Sequence, residues 1–207
     1  MSNDAFRIET VEQLREVIGE PSPVTAMKVA NELDEFSRAF IERSPFLLVS
    51  TADRDGNQDV SPKGDAPGFV AVEDDQTLLI PDRKGNQLVF GHLNLLQNPH
   101  VGLVFLIPGT GETLRINGTA ELTRDPAVMQ RLAARGQPAV IATRVRIREC
   151  FFHCAKAFLR AQLWKPETWG ERHRVSFGTM TSKRFGAGEE VARQVDQLIA
   201  DDYANNL

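Results

Sequence analysis

The sequence predicts a mainly β fold with flanking helices, built around a small antiparallel barrel of six or seven strands. Two observations lead to this prediction. Short runs of β-branched and aromatic residues recur from Pro45 onward, whereas the residues before Pro45 show helical spacing. The connections at 53–57 and 73–75 are rich in Asp, Gly and Asn, which is typical of hairpins. With 207 residues, of which 42% are hydrophobic, the chain can bury one substantial core.

The predicted elements divide the chain into three parts. Residues 1–44 form an N-terminal helical cover with helices at 11–18 and 26–43, the first opened by the capping-box spacing of Thr10 and Gln13. Strands follow at 46–51, 59–63, 68–72, 77–81, 101–107, 113–122 and 141–152. Further helices are expected at 85–96, 126–135, 153–163 and 189–200. The barrel core is assigned to 45–165. Residues 166–207 are expected to pack on it as part of a single domain, with an irregular loop or lid over 165–188.

Composition excludes several classes of protein. A net charge of −4 and a pI near 5.6 argue against a nucleic-acid surface, which needs clustered Lys and Arg. No apolar run reaches the roughly 18 residues of a membrane span. The first residues lack the pattern of a signal peptide, so a cytoplasmic location away from membranes is expected.

The turn after the strand at 77–81 is the most informative segment. Asp82, Arg83, Lys84, Gly85 and Asn86 place two cations and free backbone amides where a helix is expected to begin. A phosphate monoester needs such a setting, because Arg holds two oxygens through its planar fork and Lys adds a mobile charge. The alternative is that this basic pair is only a solvated turn.

Two strands carry further candidates. Ser61, Pro62, Lys63 and Gly64 lie on a strand whose proline indicates an edge or a bulge, with Ser61 and Lys63 on one face. An ordinary edge strand with an exposed lysine would look the same. On the strand at 113–122, Thr113, Arg115 and Asn117 share one face, opposite Leu114 and Ile116 in the core. Arg115 could instead pair with Glu112 or Glu121.

The segment after residue 149 combines thiols, an imidazole and cations. Cys150, His153 and Cys154 fall within five residues, but no second cluster supplies the remaining ligands of a zinc site, so no metal is expected. The two cysteines are expected to be small, buried and reduced. If a helix runs through the segment, one face presents substrate-side candidates: His153, Lys156, Arg160 and Trp164. A basic solvated face with Trp164 as a core anchor is the alternative.

Taken in order, three motifs carry a family resemblance. They are the strand and turn at 78–80 (LLI) and 82–88 (DRKGNQL), the run 98–105 (NPHVGLVF), and the strand 112–121 (ETLRINGTAE). Over roughly residues 40–165 the chain resembles the pyridoxamine 5′-phosphate oxidase-like flavoproteins, the FMN-binding split β-barrel family. The resemblance implies a split barrel and a homodimer with FMN at the subunit interface.

The same resemblance assigns residue roles. Arg83 and Lys84 match the basic pair that binds the FMN phosphate, and Thr113 falls where the family places a polar residue near the flavin ring. Residues 61–64 fall on the strand that elsewhere supplies an arginine to the phosphate and backbone contacts to the ring. Apart from the resemblance, a cation such as Arg115 near the flavin would stabilise the negative charge of its reduced state.

The chain also departs from this family. True pyridoxamine 5′-phosphate oxidases have a longer basic strand in place of 61–64 and an Arg-Leu-Ala-Pro-type ending in place of 203–207. The chain therefore looks like a subgroup with the same cofactor site and a different small-molecule substrate. It is expected to be an FMN-dependent oxidoreductase without identified catalytic residues. The alternative is a non-catalytic flavin carrier, or a protein that holds haem or a deazaflavin.

Overall fold

The computed structural model describes residues 6–205. Within this range it contains seven strands: β1 Phe46–Ala52, β2 Gln58–Gly64, β3 Ala71–Asp74, β4 Thr77–Asp82, β5 His100–Leu106, β6 Thr113–Thr123 and β7 Ile141–His153. The same residues form eight α-helices: α1 Val11–Ile18, α2 Pro23–Met27, α3 Glu35–Arg43, α4 Phe90–Leu95, α5 Pro126–Arg131, α6 Lys156–Ala161, α7 Phe177–Phe185 and α8 Glu189–Asn205.

The seven strands form one sheet in the order β2-β1-β5-β6-β7-β4-β3, and every neighbouring pair is antiparallel. Lys63 of β2 bonds to Asp82 at the end of β4, although four strands lie between β2 and β4 in the sheet. The sheet therefore curls into a split barrel with β2 and β3 at its edges. This confirms the predicted mainly β, antiparallel fold and the edge position of residues 58–64.

The core lies inside the curled sheet. Leu47, Phe105, Leu114 and Ile116 are completely buried there, and Leu114 and Ile116 share one face as predicted. A second apolar cluster forms where α5 covers the other side of the sheet, and consists of Leu79, Val128, Met129, Leu132, Ala139 and Ala142. Because β4 contributes to both clusters, it is buried on both faces and forms a rigid support for the turn that follows it.

Two predicted helices are shorter in the structure. A single helix was predicted over 26–43, but the chain leaves the helical conformation between the end of α2 at Met27 and the start of α3 at Glu35. Ala30 exchanges backbone hydrogen bonds with Cys150 of β7, and Asp34 then caps α3. The helix predicted over 85–96 begins only at Phe90. Gly85 has φ +115° and Val89 has φ +45°, and neither residue can continue a right-handed helix in that conformation.

The later helices also differ in their bounds. The helix predicted over 126–135 ends at Arg131, and the one predicted over 153–163 begins only at Lys156 because β7 stays paired with β6 as far as His153. The segment predicted to be irregular, 165–188, contains α7.

The helices α7 and α8 pack on one another as a hairpin. Asp196 of α8 accepts hydrogen bonds from Ser176 Oγ at 2.6 Å and Gly178 N at 2.7 Å, and so caps α7. The packing of this hairpin on the barrel stays a prediction. The chain ends discussed above, residues 1–5 and 206–207, lie outside the described residues. Within the described part, no helix is both long enough and apolar enough to cross a membrane.

Candidate functional site

A groove of about 240 Å³ lies between the edge strand β2 and the turn that follows β4. The alternation of β2 turns Ser61 and Lys63 toward the inside of the sheet, and the curl of the sheet brings β4 opposite them. The groove is lined by Ser61, Pro62, Lys63, Gly64, Asp65, Phe69, Pro81, Asp82, Arg83, Lys84 and Asn86. The structure thus brings the two predicted segments, 61–64 and 82–86, to one place.

Lys63, Asp82 and His92 form a largely buried network on one side of the groove. Asp82 Oδ2 accepts hydrogen bonds from Lys63 Nζ at 2.8 Å and from His92 Nε2 at 3.1 Å. The three side chains are only 12–15% exposed. Burial by itself favours the protonated acid, but the bonds from His92 and Lys63 outweigh it and hold the pKa of Asp82 below its usual value. Asp82 is therefore ionised near neutral pH, and it fixes the position of Lys63.

Arg83 belongs to a second charged network. Its Nε donates to Asp65 Oδ2 at 3.0 Å and its Nη1 donates to the carbonyl of Leu132 at 2.8 Å. Arg135 Nη2 reaches the other oxygen of Asp65 at 3.1 Å, and the Asp65 side chain is only 6% exposed. Burial raises the pKa of Asp65, whereas the Ala66 amide, Arg135 and Arg83 lower it more, so the pKa lies below the ordinary value.

The turn at 84–86 is the exposed end of the groove. Lys84, Gly85 and Asn86 are exposed, and Asn86 Oδ1 accepts a hydrogen bond from the amide of Val89 at 3.2 Å. Because α4 begins at Phe90, Gly85 does not lie at a helix start, and the expected contribution of helix amides to this turn was wrong. Arg83 and Lys84 nevertheless both line the groove.

Thr113 and Arg115 do not line this groove. They lie on β6, which β1 and β5 separate from β2, and Thr113 is only 5% exposed. The Arg115 guanidinium lies 5.2 Å from the centre of the Phe151 ring, a cation–π contact that replaces the ion pairs considered from sequence. A contact of either residue with a flavin ring stays a prediction.

The structure does not place His153, Lys156, Arg160 and Trp164 on one helix face. His153 ends β7, whereas Lys156 and Arg160 lie on α6 and are exposed. Trp164 Nε1 donates to the carbonyl of Thr110 at 2.8 Å, and its ring stacks on Phe158 at 5.8 Å. Trp164 thus ties the segment after α6 to the loop at Thr110, but it is only half-buried and belongs to neither apolar cluster, so it is not a core anchor.

The two cysteines have different surroundings. Cys150 is buried on β7, and this burial raises the pKa of its thiol to about 11. Cys154 is exposed, so the expectation that both thiols are buried was wrong for Cys154. Across residues 6–205, no group of three or more His, Cys, Asp or Glu side chains is arranged to hold a metal ion.

Sequence reasoning missed three residues of these networks: Asp65, His92 and Arg135. Asp65 directly follows the proposed strand, and its place beside Gly64 could have indicated an acid for Arg83. His92 and Arg135 gave no signal, because their contacts depend on where α4 and the turn after α5 meet the sheet.

Comparison with known proteins identifies the family. Residues 33–154, more than half of the chain, match the sequence profile described as pyridoxamine 5′-phosphate oxidase. The chain belongs to the pyridoxamine 5′-phosphate oxidase family. This family segment contains all seven strands and both charged networks. No curated protein matches the chain.

Three solved structures illustrate the likeness. HupZ of Group A Streptococcus is 18% identical with a TM-score of 0.48, and the match covers 58% of this chain and 93% of that one. A putative pyridoxamine 5′-phosphate oxidase from Lactobacillus delbrueckii is 26% identical with a TM-score of 0.46, over 59% of this chain and 95% of that one. An FMN-binding protein from Syntrophomonas wolfei is 12% identical with a TM-score of 0.42, over 68% and 95%.

Proposed function

We propose that the groove between β2 and the turn after β4 holds the phosphate of FMN, and that the protein is an FMN-dependent oxidoreductase acting on a small molecule. The main support is the meeting of Lys63 with Arg83 and Lys84 at one groove, although the first comes from a strand remote in sequence from the other two. Membership of the pyridoxamine 5′-phosphate oxidase family supports the same cofactor.

The donor set of the groove fits a phosphate monoester. Lys63 gives one hydrogen bond to Asp82, and an ammonium group has further donors. Arg83 uses Nε and one Nη1 proton for Asp65 and Leu132, which leaves its Nη2 end for an oxyanion. Lys84 is exposed and has no carboxylate partner among the described residues. The carboxylates of Asp65 and Asp82 keep these cations in position without neutralising all of them.

The groove alone is too small for the whole cofactor. Its volume of about 240 Å³ lies below the roughly 300–1,000 Å³ of typical cofactor pockets. The phosphate end therefore occupies the groove, and the ring extends past it to a surface that this chain does not enclose. A second copy of the chain would complete the site, with FMN at the interface of a homodimer.

Exposed apolar side chains beside the groove also support a homodimer. Leu88, Phe90, Leu93 and Leu96, on α4 and next to it, are 46–73% exposed. Four large apolar side chains exposed within residues 88–96 are typical of a protein–protein interface. A chain that stays monomeric at micromolar concentration in analytical ultracentrifugation, yet binds FMN tightly, would contradict the interface.

FMN supplies hydride transfer when it is bound. The residues of the chain bind and orient: Lys63, Arg83 and Lys84 hold the phosphate, and Asp82 with His92 keeps Lys63 directed into the groove. The cytoplasmic location stays a prediction.

The test begins with the absorbance spectrum of the purified protein. Flavin bands near ~375 and ~450 nm are expected, whereas a Soret band would identify haem instead. Steady turnover of a reduced nicotinamide or another small molecule by the loaded protein would separate an oxidoreductase from a flavin carrier.

Fluorescence titration with FMN and with riboflavin then measures the contribution of the phosphate to the binding affinity. FMN should bind at least about a hundredfold more tightly, since two charge-assisted contacts are worth about 3 kcal/mol or more. In Arg83→Ala/Lys84→Ala this preference should fall at least about tenfold, because only Lys63 remains to hold the phosphate. The variant Lys183→Ala/Arg184→Ala removes another adjacent basic pair, on α7, and should keep the preference. An unchanged preference for FMN in the first variant would reject the proposed groove.

A further inference from the structure

A second groove lies behind the proposed phosphate groove, on the other side of Arg83 and Asp65. Its volume is about 360 Å³. It is formed by the loop 65–69 after β2, by the end of α5 and by the tight turn at 134–137. The second apolar cluster anchors α5 on the sheet beneath it, so these walls rest on rigid elements.

The second groove carries an excess of positive charge. Arg83, Arg131 and Arg135 line it, whereas Asp65 is the single acidic residue in its lining. Asp65 bonds to both Arg83 and Arg135, and Arg131 Nη2 donates to the carbonyl of Val72 at 2.8 Å. One carboxylate thus faces three guanidinium groups. Such a surplus beside apolar walls attracts an anion more strongly than the same charges would in open water.

The backbone of Arg135 is an independent observation. Arg135 has φ +51° and Gly136 has φ +76°, and Ala134 and Gln137 close the turn with two hydrogen bonds of 2.9 Å. In a two-residue turn of this kind the first position favours Asn, Asp or Gly, because other side chains are strained in the left-handed region. The Arg135 side chain is 59% exposed, so packing does not require it. Strain retained at an exposed arginine on a groove points to a role for its guanidinium group.

We propose that this second groove binds a small organic anion through Arg131 and Arg135, with Arg83 at its inner wall. The recognised chemistry is an oxyanion, a carboxylate or a phosphate, which the planar guanidinium fork holds in a bidentate manner. The site shares Asp65, Phe69 and Arg83 with the proposed FMN groove, whereas Arg131 and Arg135 line the second groove and not the first.

The experiment titrates the protein as purified, labelled with ¹⁵N, with succinate, inorganic phosphate and the uncharged succinamide. Succinate or phosphate should shift the amide signals of Ala66, Ala134 and Gly136 in a saturable manner, and succinamide should not. Comparison of the two anions tells a carboxylate site from a phosphate site. Saturable shifts confined to residues 61–64 and 82–86, or no saturable shift with either anion, would overturn the proposal.

A variant at the strained turn tests the role of the guanidinium group. Arg135→Asn suits the left-handed backbone and so preserves the turn, but it should weaken anion binding by about tenfold. FMN affinity in the same variant should stay within about twofold. Arg193→Asn changes another exposed, ion-paired arginine, on α8, and should leave anion binding unchanged.

Two results would reject this assignment. Anion affinity retained in Arg135→Asn would show that Arg135 does not bind the ligand, and a joint loss of anion and FMN binding would show that the two grooves are one site. If Arg135→Asn does not fold, Arg131→Gln provides the same comparison from α5, and unchanged anion affinity there overturns the proposal.

Discussion

Replacement of Asp82 by Asn tests whether the Lys63 network supports the fold. Asp82 Oδ2 accepts from Lys63 Nζ at 2.8 Å and from His92 Nε2 at 3.1 Å, in a site where all three side chains are at most 15% exposed. A hydrogen bond to a charged group contributes about 1.5–3 kcal/mol. Asparagine keeps one acceptor oxygen but leaves the Lys63 ammonium without a counter-charge. We therefore expect the free energy of unfolding to fall by about 2–3 kcal/mol.

Urea denaturation followed by tryptophan fluorescence measures this loss. Asp55→Asn changes an exposed acid in a turn and should shift the midpoint very little. The double variant Lys63→Met/Asp82→Asn should be less destabilised than the sum of its single variants, because it leaves no unpaired charge behind. The reasoning would be refuted if Asp82→Asn unfolded at the same urea concentration as Asp55→Asn.

Three further predictions concern acid, helix packing and thiol reactivity. The pKa of Asp65 is lower in the folded protein than in the unfolded chain, where it is about 3.9. The ionised Asp65 therefore contributes fully to stability above the unfolded pKa, and this contribution is lost as the pH falls through the folded pKa. Unfolding free energies measured across this acid range should therefore fall less steeply for Asp65→Asn, and equal slopes would contradict the assignment. A Cβ at Gly178 would clash with the carbonyl oxygen of Ala192, so Gly178→Ala should separate α7 from α8 at a cost of about 1–3 kcal/mol or more. This loss should be seen as faster amide exchange in both helices. Iodoacetamide at pH 8 should label Cys154 readily in the folded protein but Cys150 only after unfolding. If mass spectrometry finds the label on both thiols of the folded protein, this difference is refuted.

The strands could be predicted because the alternation of apolar and polar residues along each strand shows which face of the sheet packs on the core. Leu114 and Ile116 alternate with polar neighbours on β6, and the structure buries both. The bounds of α4 could not be predicted. The sequence predicted a helix from residue 85, but Gly85 and Val89 both have positive φ and delay its start to Phe90.

In the candidate site, too, the local motifs could be predicted from the sequence but the contacts between distant elements could not. The basic turn and the strand at 61–64 were visible in the sequence, since each motif is local. The contacts of Asp65 with Arg135 and of Asp82 with His92 were not visible, because they form only when the sheet curls and brings distant elements together.

The most direct test is a crystal structure of the protein with FMN. Phosphate oxygens are expected at hydrogen-bond distance, about 2.7–3.2 Å, from Lys63 Nζ and from the Arg83 guanidinium. The ring should extend to a surface completed by a second copy of the chain. A phosphate bound elsewhere on the barrel, with the groove between β2 and β4 free of ligand, would contradict it.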